Sequence, residues 1–550
     1  MAVEAGGRRQ LARRAGVVSI AVLASRVLGL VREQVFAVSF GAGRVLDAYV
    51  TAFRIPNLLR DLFAEGALSA AFVTTFSQEL EKKGDAGAWR LASMVVNALA
   101  IVVGALCLLG IWFAPALTRA IAPGFEEVPG KLELTVHLTR IMFPFLLLIA
   151  LAAVAMGILN TKNRFGVPAA ASAFFNLGSV VGGLACAWWM APGYLGSVVD
   201  DVLGRGAPST DPDLAMRAIS GMAIGTLIGG VLQLLVQVPS LLAVGFRWRP
   251  LLDTHDPALR QVLRLMGPAT IGAAAVQVNV FVNNNFASYL GDGAVSWLNV
   301  AFRFMQLPIG LFGVAIGTVT LPVVSRHAAR GDAEAMRTAI RQALEMVALL
   351  CLPAAAGLAV FGTPIIGLIY EHGRFTAVDT TAAAHALAGY AVGLAGYAGI
   401  KVLAPAFYAL DDARTPMRVS LLSIATNVGL NWLFVRGLGF GHVGLALSTS
   451  AVALANCGVL LMVLRWRIGA LGGGLTTALV RIAAATLVMV ASAWALDVAA
   501  AGWMPASPLA NHAVHVGLVL PVSVAVFWVA CRLLGVAVPR LRRRAAAPMP

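Results

Sequence analysis

Stretches of about 20 apolar residues, the length at which a helix crosses the hydrocarbon core of a bilayer, recur from one end of this chain to the other. Inside lipid a backbone finds no water, so every N–H and C=O must be satisfied within the span, which leaves helices or closed barrels. The runs are continuous rather than alternating, and that selects helices. Windows at 17–37, 46–78, 91–114, 134–159, 167–190, 216–244, 262–289, 295–325, 343–361, 382–409, 416–435, 442–464, 474–498 and 512–534 predict about fourteen crossings. With 59% hydrophobic and 12% charged residues and a mean hydropathy of +0.83, a soluble globular domain is excluded. The expected fold class is an all-α polytopic membrane protein.

The formal charge of +15 does not point to nucleic acid, because the basic residues flank apolar runs in pairs and short clusters. Placing the N-terminus inside assigns 26 of the 41 Lys and Arg residues to internal loops and tails and 8, Lys131 among them, to external ones. This asymmetry puts both termini in the cytoplasm and favours an even number of crossings. The N-terminal basic cluster ahead of an apolar run lacks a small-residue cleavage site, so it reads as a retained helix rather than a signal peptide. Cys107, Cys186, Cys351, Cys457 and Cys531 stand apart within apolar segments, with no disulfide or metal spacing.

The chain repeats itself. Ala52-Phe53-Arg54 returns as Ala301-Phe302-Arg303, Leu62-Phe63 as Leu311-Phe312 and Gly84-Asp85 as Gly331-Asp332, at a spacing near 249 residues. The turn Phe40-Gly41-Ala42-Gly43 has a counterpart in Leu290-Gly291-Asp292-Gly293. Six predicted helices separate the copies, so both run the same way, as in transporters whose halves are related by an axis along the membrane normal. The expected organisation is an N-lobe at 1–250, a C-lobe at 251–470, and two further helices with a basic cytoplasmic tail at 471–550.

Arginine inside apolar helices is the main chemical signal. A guanidinium at bilayer depth costs about 3 kcal/mol even on lenient insertion scales, and such residues mark the paths of charged substrates. On the first helix Ser25, Arg26, Gly29, Arg32 and Glu33 fall within about 120° of arc at about 100° per residue, forming one polar stripe. The second carries Asp47, Arg54, Pro56, Asn57, Arg60, Asp61 and Glu65, and Pro56 predicts a kink beside Arg54. Arg303 holds in the second copy the place of Arg54 in the first. Guanidinium forks match phosphate oxygens bidentately, so a diphosphate is the natural cargo. Substrate contact is expected at Ser25, Arg26, Arg32, Arg54, Asn57 and Arg303, and gating or another essential role at Glu33, Asp47, Arg60, Glu65 and Ser296. Asp411 and Asp412 read as a solvated cytoplasmic turn.

The motifs Ser25-Arg26-Val27-Leu28-Gly29 with Arg32, Phe40-Gly41-Ala42-Gly43 with Asp47-Ala48, Pro56-Asn57-Leu58-Leu59-Arg60 and Phe63-Ala64-Glu65-Gly66-Ala67 resemble those of the lipid II flippase family. Gly157-Ile158-Leu159-Asn160, Val295-Ser296-Trp297 and Lys401-Val402-Leu403-Ala404-Pro405 agree in order and spacing. The resemblance implies a multidrug/oligosaccharidyl-lipid/polysaccharide exporter fold and translocation of an undecaprenyl-diphosphate-linked disaccharide-pentapeptide from the inner to the outer leaflet. It implies a bacterial plasma membrane location, with lipid II, membrane lipids and the cell-wall synthesis machinery as partners. It implies no enzymatic activity and no cofactor, and leaves membrane potential or a monovalent cation as the driving force. Two departures stand out. Phe302 and Gln306 occupy positions where some relatives have acids beside the helix-8 arginine, and of a sodium site in some relatives only Asn283 and Asp412 remain as weak candidates. Rival readings are an exporter of another polyprenyl-diphosphate oligosaccharide, a drug or cation exporter, and a polyprenyl-using glycosyltransferase. The drug exporter would need acids or aromatics where arginine stands here, and the transferase a catalytic acid in the external loop Tyr194 to Asp213.

Overall fold

Residues 2–61, 68–472, 474–500 and 505–536 are described by a computed structural model of the chain. The elements are α1 (Ala2–Phe40), α2 (Arg44–Arg60), α3 (Ser69–Trp112), α4 (Ala114–Ile121), α5 (Lys131–Met142), α6 (Phe145–Thr161), α7 (Gly166–Met190), α8 (Pro192–Val202), α9 (Pro212–Leu235), α10 (Val238–Ala243), α11 (Pro257–Ser288), α12 (Ala294–Pro308), α13 (Ala315–Ala329), α14 (Ala333–Val360), α15 (Gly362–Tyr370), α16 (Ala377–Ala391), α17 (Leu394–Tyr408), α18 (Arg414–Asn431), α19 (Gly441–Ile468), α20 (Gly474–Ala500), α21 (Pro508–Val514) and α22 (Leu520–Leu533). No strand occurs among the described residues.

Each predicted window falls on helix, although 62–67 of the second lies outside the described residues. Ten helical stretches of the described residues are long and apolar enough to cross a membrane, or eleven if the bent pair Ala377–Ala391 and Leu394–Tyr408 counts as one span. The expected fourteen is thus not reached on length and apolarity. The windows outside this set belong to α1, α2 and α11, and α2 has only 17 residues. These are the helices on which the sequence places much of its intramembrane polarity.

The sequence repeat has a backbone echo. Gly84 interrupts α3 at φ 65°, and Gly331, its counterpart, precedes α14 at φ 66°. Both occupy the left-handed region that a side chain disfavours. The turns at 41–43 and 291–293 also correspond, each joining the end of one helix to the start of the next.

The described contacts group the chain into two compact units, Met1–Asn299 with Ile369–Asp379, and Val300–Leu368 with Thr380–Pro550. Within the first unit one core joins Leu46, Ala48, Tyr49 and Ala52 of α2 to Leu134, Leu138 and Met142 of α5 and to Ala218, Ile219 and Met222 of α9. A second core gathers Phe72, Phe76, Leu91 and Val95 of α3 with Ile158, Leu159 and Phe246. Helices α7 and α9 approach to backbone contact: a Cβ on Gly225 would stand 2.3 Å from Gly183 Cα. Small residues permit this closeness where helix association in lipid depends on packing. Within the second unit, Ala348 and Leu349 of α14 pack with Ile482, Ala485 and Met489 of α20 and Phe527 and Cys531 of α22.

Candidate functional site

The polar stripe of α1 forms as its periodicity predicts, and its members differ in surroundings. Arg26 is exposed and Ser25 half-buried. The Arg32 side chain is 14% exposed, lies 3.7 Å from the Glu33 carboxylate and stands over the Phe175 ring at 5.2 Å from its centroid. The space beside Gly29 is taken by α7, since a methyl there would meet Asn176 Nδ2 at 3.4 Å. That amide donates to the Ser25 carbonyl at 3.0 Å.

On α2 the helix runs on through Pro56 to Arg60. Arg54 donates to Asn284 Oδ1 of α11 at 3.1 Å, and Asn284 in turn donates to the Ile121 carbonyl at 3.2 Å. A neutral amide therefore orients this guanidinium. Arg60 binds the adjacent Asp61 at 2.8 Å. Asn57 Oδ1 is buried without a hydrogen-bond partner among the described residues, a group whose desolvation cost stays uncompensated there. Glu65 lies outside the described residues.

Arg303 belongs to the second unit and is exposed. Phe302 packs edge-on against Tyr390 with centroids 5.4 Å apart, and Gln306 is exposed. An aromatic contact thus stands immediately before Arg303 in the chain.

The best-formed polar constellation surrounds Asp47, in the first turn of α2. Its side chain is fully buried and accepts from Gly293 N at 2.7 Å, Ser296 N at 2.9 Å, Ser296 Oγ at 2.7 Å and Lys131 Nζ at 3.0 Å. Gly293 and Ser296 bracket the first turn of α12, whose N–H groups have no intrahelical acceptor. A carboxylate from α2 therefore caps α12, where the helix dipole also favours negative charge. Gly293 sits at φ 95°, and a Cβ there would come within 2.6 Å of the Trp297 ring. Lys131 Nζ reaches Asp292 as well, at 2.8 Å, and lies 4.2 Å from the Phe125 ring centroid.

A sequence model of the family described as lipid II flippase MurJ matches residues 36–514. The chain belongs to that family. It is 36% identical over 449 residues to the lipid II flippase MurJ of Burkholderia cenocepacia, covering 81% of this chain and 82% of the relative. The probable lipid II flippase MurJ of Rhizobium meliloti is 34% identical over 542 residues, 97% of this chain and 96% of the relative. Among solved structures, a lipid II flippase MurJ in an inward closed conformation superposes with a TM-score of 0.72 at 25% identity, covering 94% of this chain and 97% of that one. An inward-facing multidrug resistance MATE transporter of the MOP superfamily shares the fold, with a TM-score of 0.65 at 16% identity over 81% of this chain and 95% of that one. The family is one of transporters rather than enzymes.

Two features escaped the reading of the sequence. Lys131, counted among external loop residues, is buried against Asp47; a lone lysine after Gly130 looks like any loop cation, and only the fold brings α5 to α2. In the second unit Asn431 is wholly buried, donates to Asn427 Oδ1 at 3.2 Å and accepts from Ser448 Oγ. Asparagines four apart on one helix could have flagged that cluster. Asp412, a weak cation candidate, accepts from the Thr415 hydroxyl, from the backbone N–H groups of Arg414 and Thr415 at 3.0 Å each, and pairs with Arg467 at 2.8 Å. The Thr415 hydrogen bond leads in holding its carboxyl below the ordinary range, against partial desolvation, with further help from backbone N–H groups and Arg467. It is engaged at the start of α18, as a turn residue would be. Asn283 is half-buried on α11. Among the described residues no three His, Cys, Asp or Glu side chains cluster to hold a metal ion.

Proposed function

We infer that this chain is a lipid II flippase: it carries the undecaprenyl-diphosphate-linked disaccharide-pentapeptide from the cytoplasmic to the outer leaflet by exposing its polar helices alternately to the two sides. The observation that carries this reading, beside family membership, is the set of part-buried arginines on otherwise apolar helices, Arg32 on α1 and Arg54 and Arg60 on α2. A diphosphate brings the opposing charge, and its oxygens accept the paired donors a guanidinium offers. Arg26, Arg32, Arg54 and Arg303 are assigned to the diphosphate, with Ser25 and Asn57 beside them. The polyprenyl tail stays in lipid throughout.

The Asp47 cluster fits a gate. A buried carboxylate that joins α2 to the first turn of α12 holds that end of the bundle shut while its bonds last, and Ser296 supplies two of them. Arg60 and Glu65 are assigned to the opposite, cytoplasmic half of the pathway, and Glu33 to the polar stripe of α1 beside Arg32. The duplicated segments 1–250 and 251–470 are the two halves of the transporter, with 471–550 added after them. The basic-residue asymmetry supports cytoplasmic termini in a bacterial inner membrane, and membrane lipids and cell-wall synthesis enzymes are the expected neighbours. An emptied cationic pathway would respond to membrane potential at about 2.3 kcal/mol per charge per 100 mV, so membrane potential or a monovalent cation supplies the reset.

The test is translocation in vesicles holding the purified full chain and labelled lipid II. Wild-type protein should make lipid II of one leaflet accessible at the other, and Arg303→Ala should slow this at least about tenfold, the loss of one charge-assisted contact of 1.5–3 kcal/mol. No translocation by the wild type under an imposed potential would remove the reading.

A further inference from the structure

The four donors to Asp47 come from two different places. Lys131 begins α5, whose Leu134, Leu138 and Met142 share a core with Leu46, Ala48, Tyr49 and Ala52 of α2. Gly293 N, Ser296 N and Ser296 Oγ come from the start of α12, none of whose residues belongs to that core. One partner of the carboxylate is welded to the helix that bears it, and three are not.

We propose that Lys131 is the standing counter-ion of Asp47, a positioning residue that lets the first turn of α12 leave without stranding a buried charge. The proposal rests on the gate reading of the Asp47 cluster given above. The charge balance in the two conditions is simple. With α12 seated, Lys131 is shared between buried Asp47 and the part-exposed Asp292, whose other oxygen faces Arg44 at the rim, 3.6 Å away. With α12 withdrawn, Asp292 leaves with the turn that carries it, and Lys131 and Asp47 remain as a neutral pair. Removing one partner of a buried pair costs far more than the pair itself contributes, because the other charge is left uncompensated. Lys131 thus makes release of α12 affordable and reversible, whereas a second clamp on α12 would oppose release.

Its surroundings suit a resident cation. The side chain is 1% exposed, its ammonium faces the wholly buried Phe125 ring, and Gly130 at φ 77° turns the chain into α5 so that Lys131 points inward from the first helical position. The Phe125 face attracts the cation whether or not Asp292 is present.

The experiment reads withdrawal of α12 directly and needs no lipid II. Val295, 2% exposed in the first turn of α12, is replaced by Cys in a full-length background lacking the five native cysteines, and labelling by a membrane-impermeant maleimide is timed in intact cells. Lys131→Met should slow labelling at least about tenfold, Lys131→Arg should stay within about threefold of the parent, and Lys131→Met with Asp47→Asn should restore the parental rate, because no charge is then stranded. Labelling that is unchanged or faster in Lys131→Met would make Lys131 a clamp or a bystander and overturn the proposal. A double variant as slow as Lys131→Met would also overturn it, showing a packing defect rather than a charge effect. Should Lys131→Met fail to accumulate in the membrane, Asp47→Asn and the double variant decide: Asp47→Asn strands Lys131 when Asp292 leaves, so it should label more slowly than the double variant, and equal rates or a faster Asp47→Asn contradict the account. Failure of lipid II translocation with this labelling pattern intact would count against the flippase reading and not against the counter-ion.

Discussion

The surroundings of Asp47 and the arginines of α1 and α2 handle charge in opposite ways within one unit. Around Asp47 a buried carboxylate receives four hydrogen bonds at 2.7 to 3.0 Å from the starts of two other helices, α5 and α12. Along α1 and α2 the cations are part-exposed: Arg32 lies 3.7 Å from the carboxylate next to it in sequence, Arg54 meets a neutral amide at 3.1 Å, and Arg60 binds Asp61 at 2.8 Å. Charge that is enclosed and saturated holds structure in place, and charge that is left part-exposed can receive a ligand. On the proposed reading the first arrangement serves closure and the second cargo.

That contrast breaks most sharply at Asp47. Asp47→Leu leaves Lys131 buried beside an apolar side chain and should destabilise the detergent-purified protein by about 3–5 kcal/mol, visible as a lower unfolding temperature. Next in size is the cargo side. Arg32→Ala should weaken lipid II binding by roughly tenfold or more, a loss of about 1.5–3 kcal/mol, with the unfolding temperature nearly unchanged; a binding titration beside a melt separates the two. Gly293→Ala introduces a methyl 2.6 Å from the Trp297 ring at a positive φ, and strain of about 1–3 kcal/mol is expected, read as faster proteolysis between α11 and α12. Ser296→Ala removes one of four donors and should cost about 1 kcal/mol, measured in the same melt.

The smallest effect belongs to pH. Asp412 titrates below the ordinary aspartate value of 3.8 because Thr415 and then the backbone and Arg467 favour its charged form. A depressed folded value means that its contribution is complete above the ordinary value and lost as pH falls through the lowered one. Protection of the start of α18 relative to intrinsic amide exchange should therefore be flat from neutral pH down to about 4 and fall only in stronger acid.

Much of this was legible in the sequence, for physical reasons that also set the limit. Apolar runs force helices because lipid offers the backbone no other partner, so the described residues of the windows lie mainly on helix. The stripe on α1 follows from helical periodicity alone, and the echo of Gly84 in Gly331 survives as a shared backbone conformation. What could not be read were partners remote in sequence. Nothing near Lys131 announces that it will be buried against a carboxylate 84 positions earlier, and nothing near Gly29 names Asn176 as the side chain that takes its space. Periodicity assigns a residue to a face of its own helix, whereas the choice of what packs on that face is made by the whole fold.

The central claim is that accessible arginine charge on α1 and α2 receives the diphosphate of the cargo. It is tested most directly by titrating purified full-length protein with lipid II, comparing wild type with Arg32→Ala/Arg54→Ala. Binding at least about a hundredfold weaker in the double variant, from two lost charge-assisted contacts, at an unchanged unfolding temperature, is the predicted result. Equal affinity in the two proteins would contradict it.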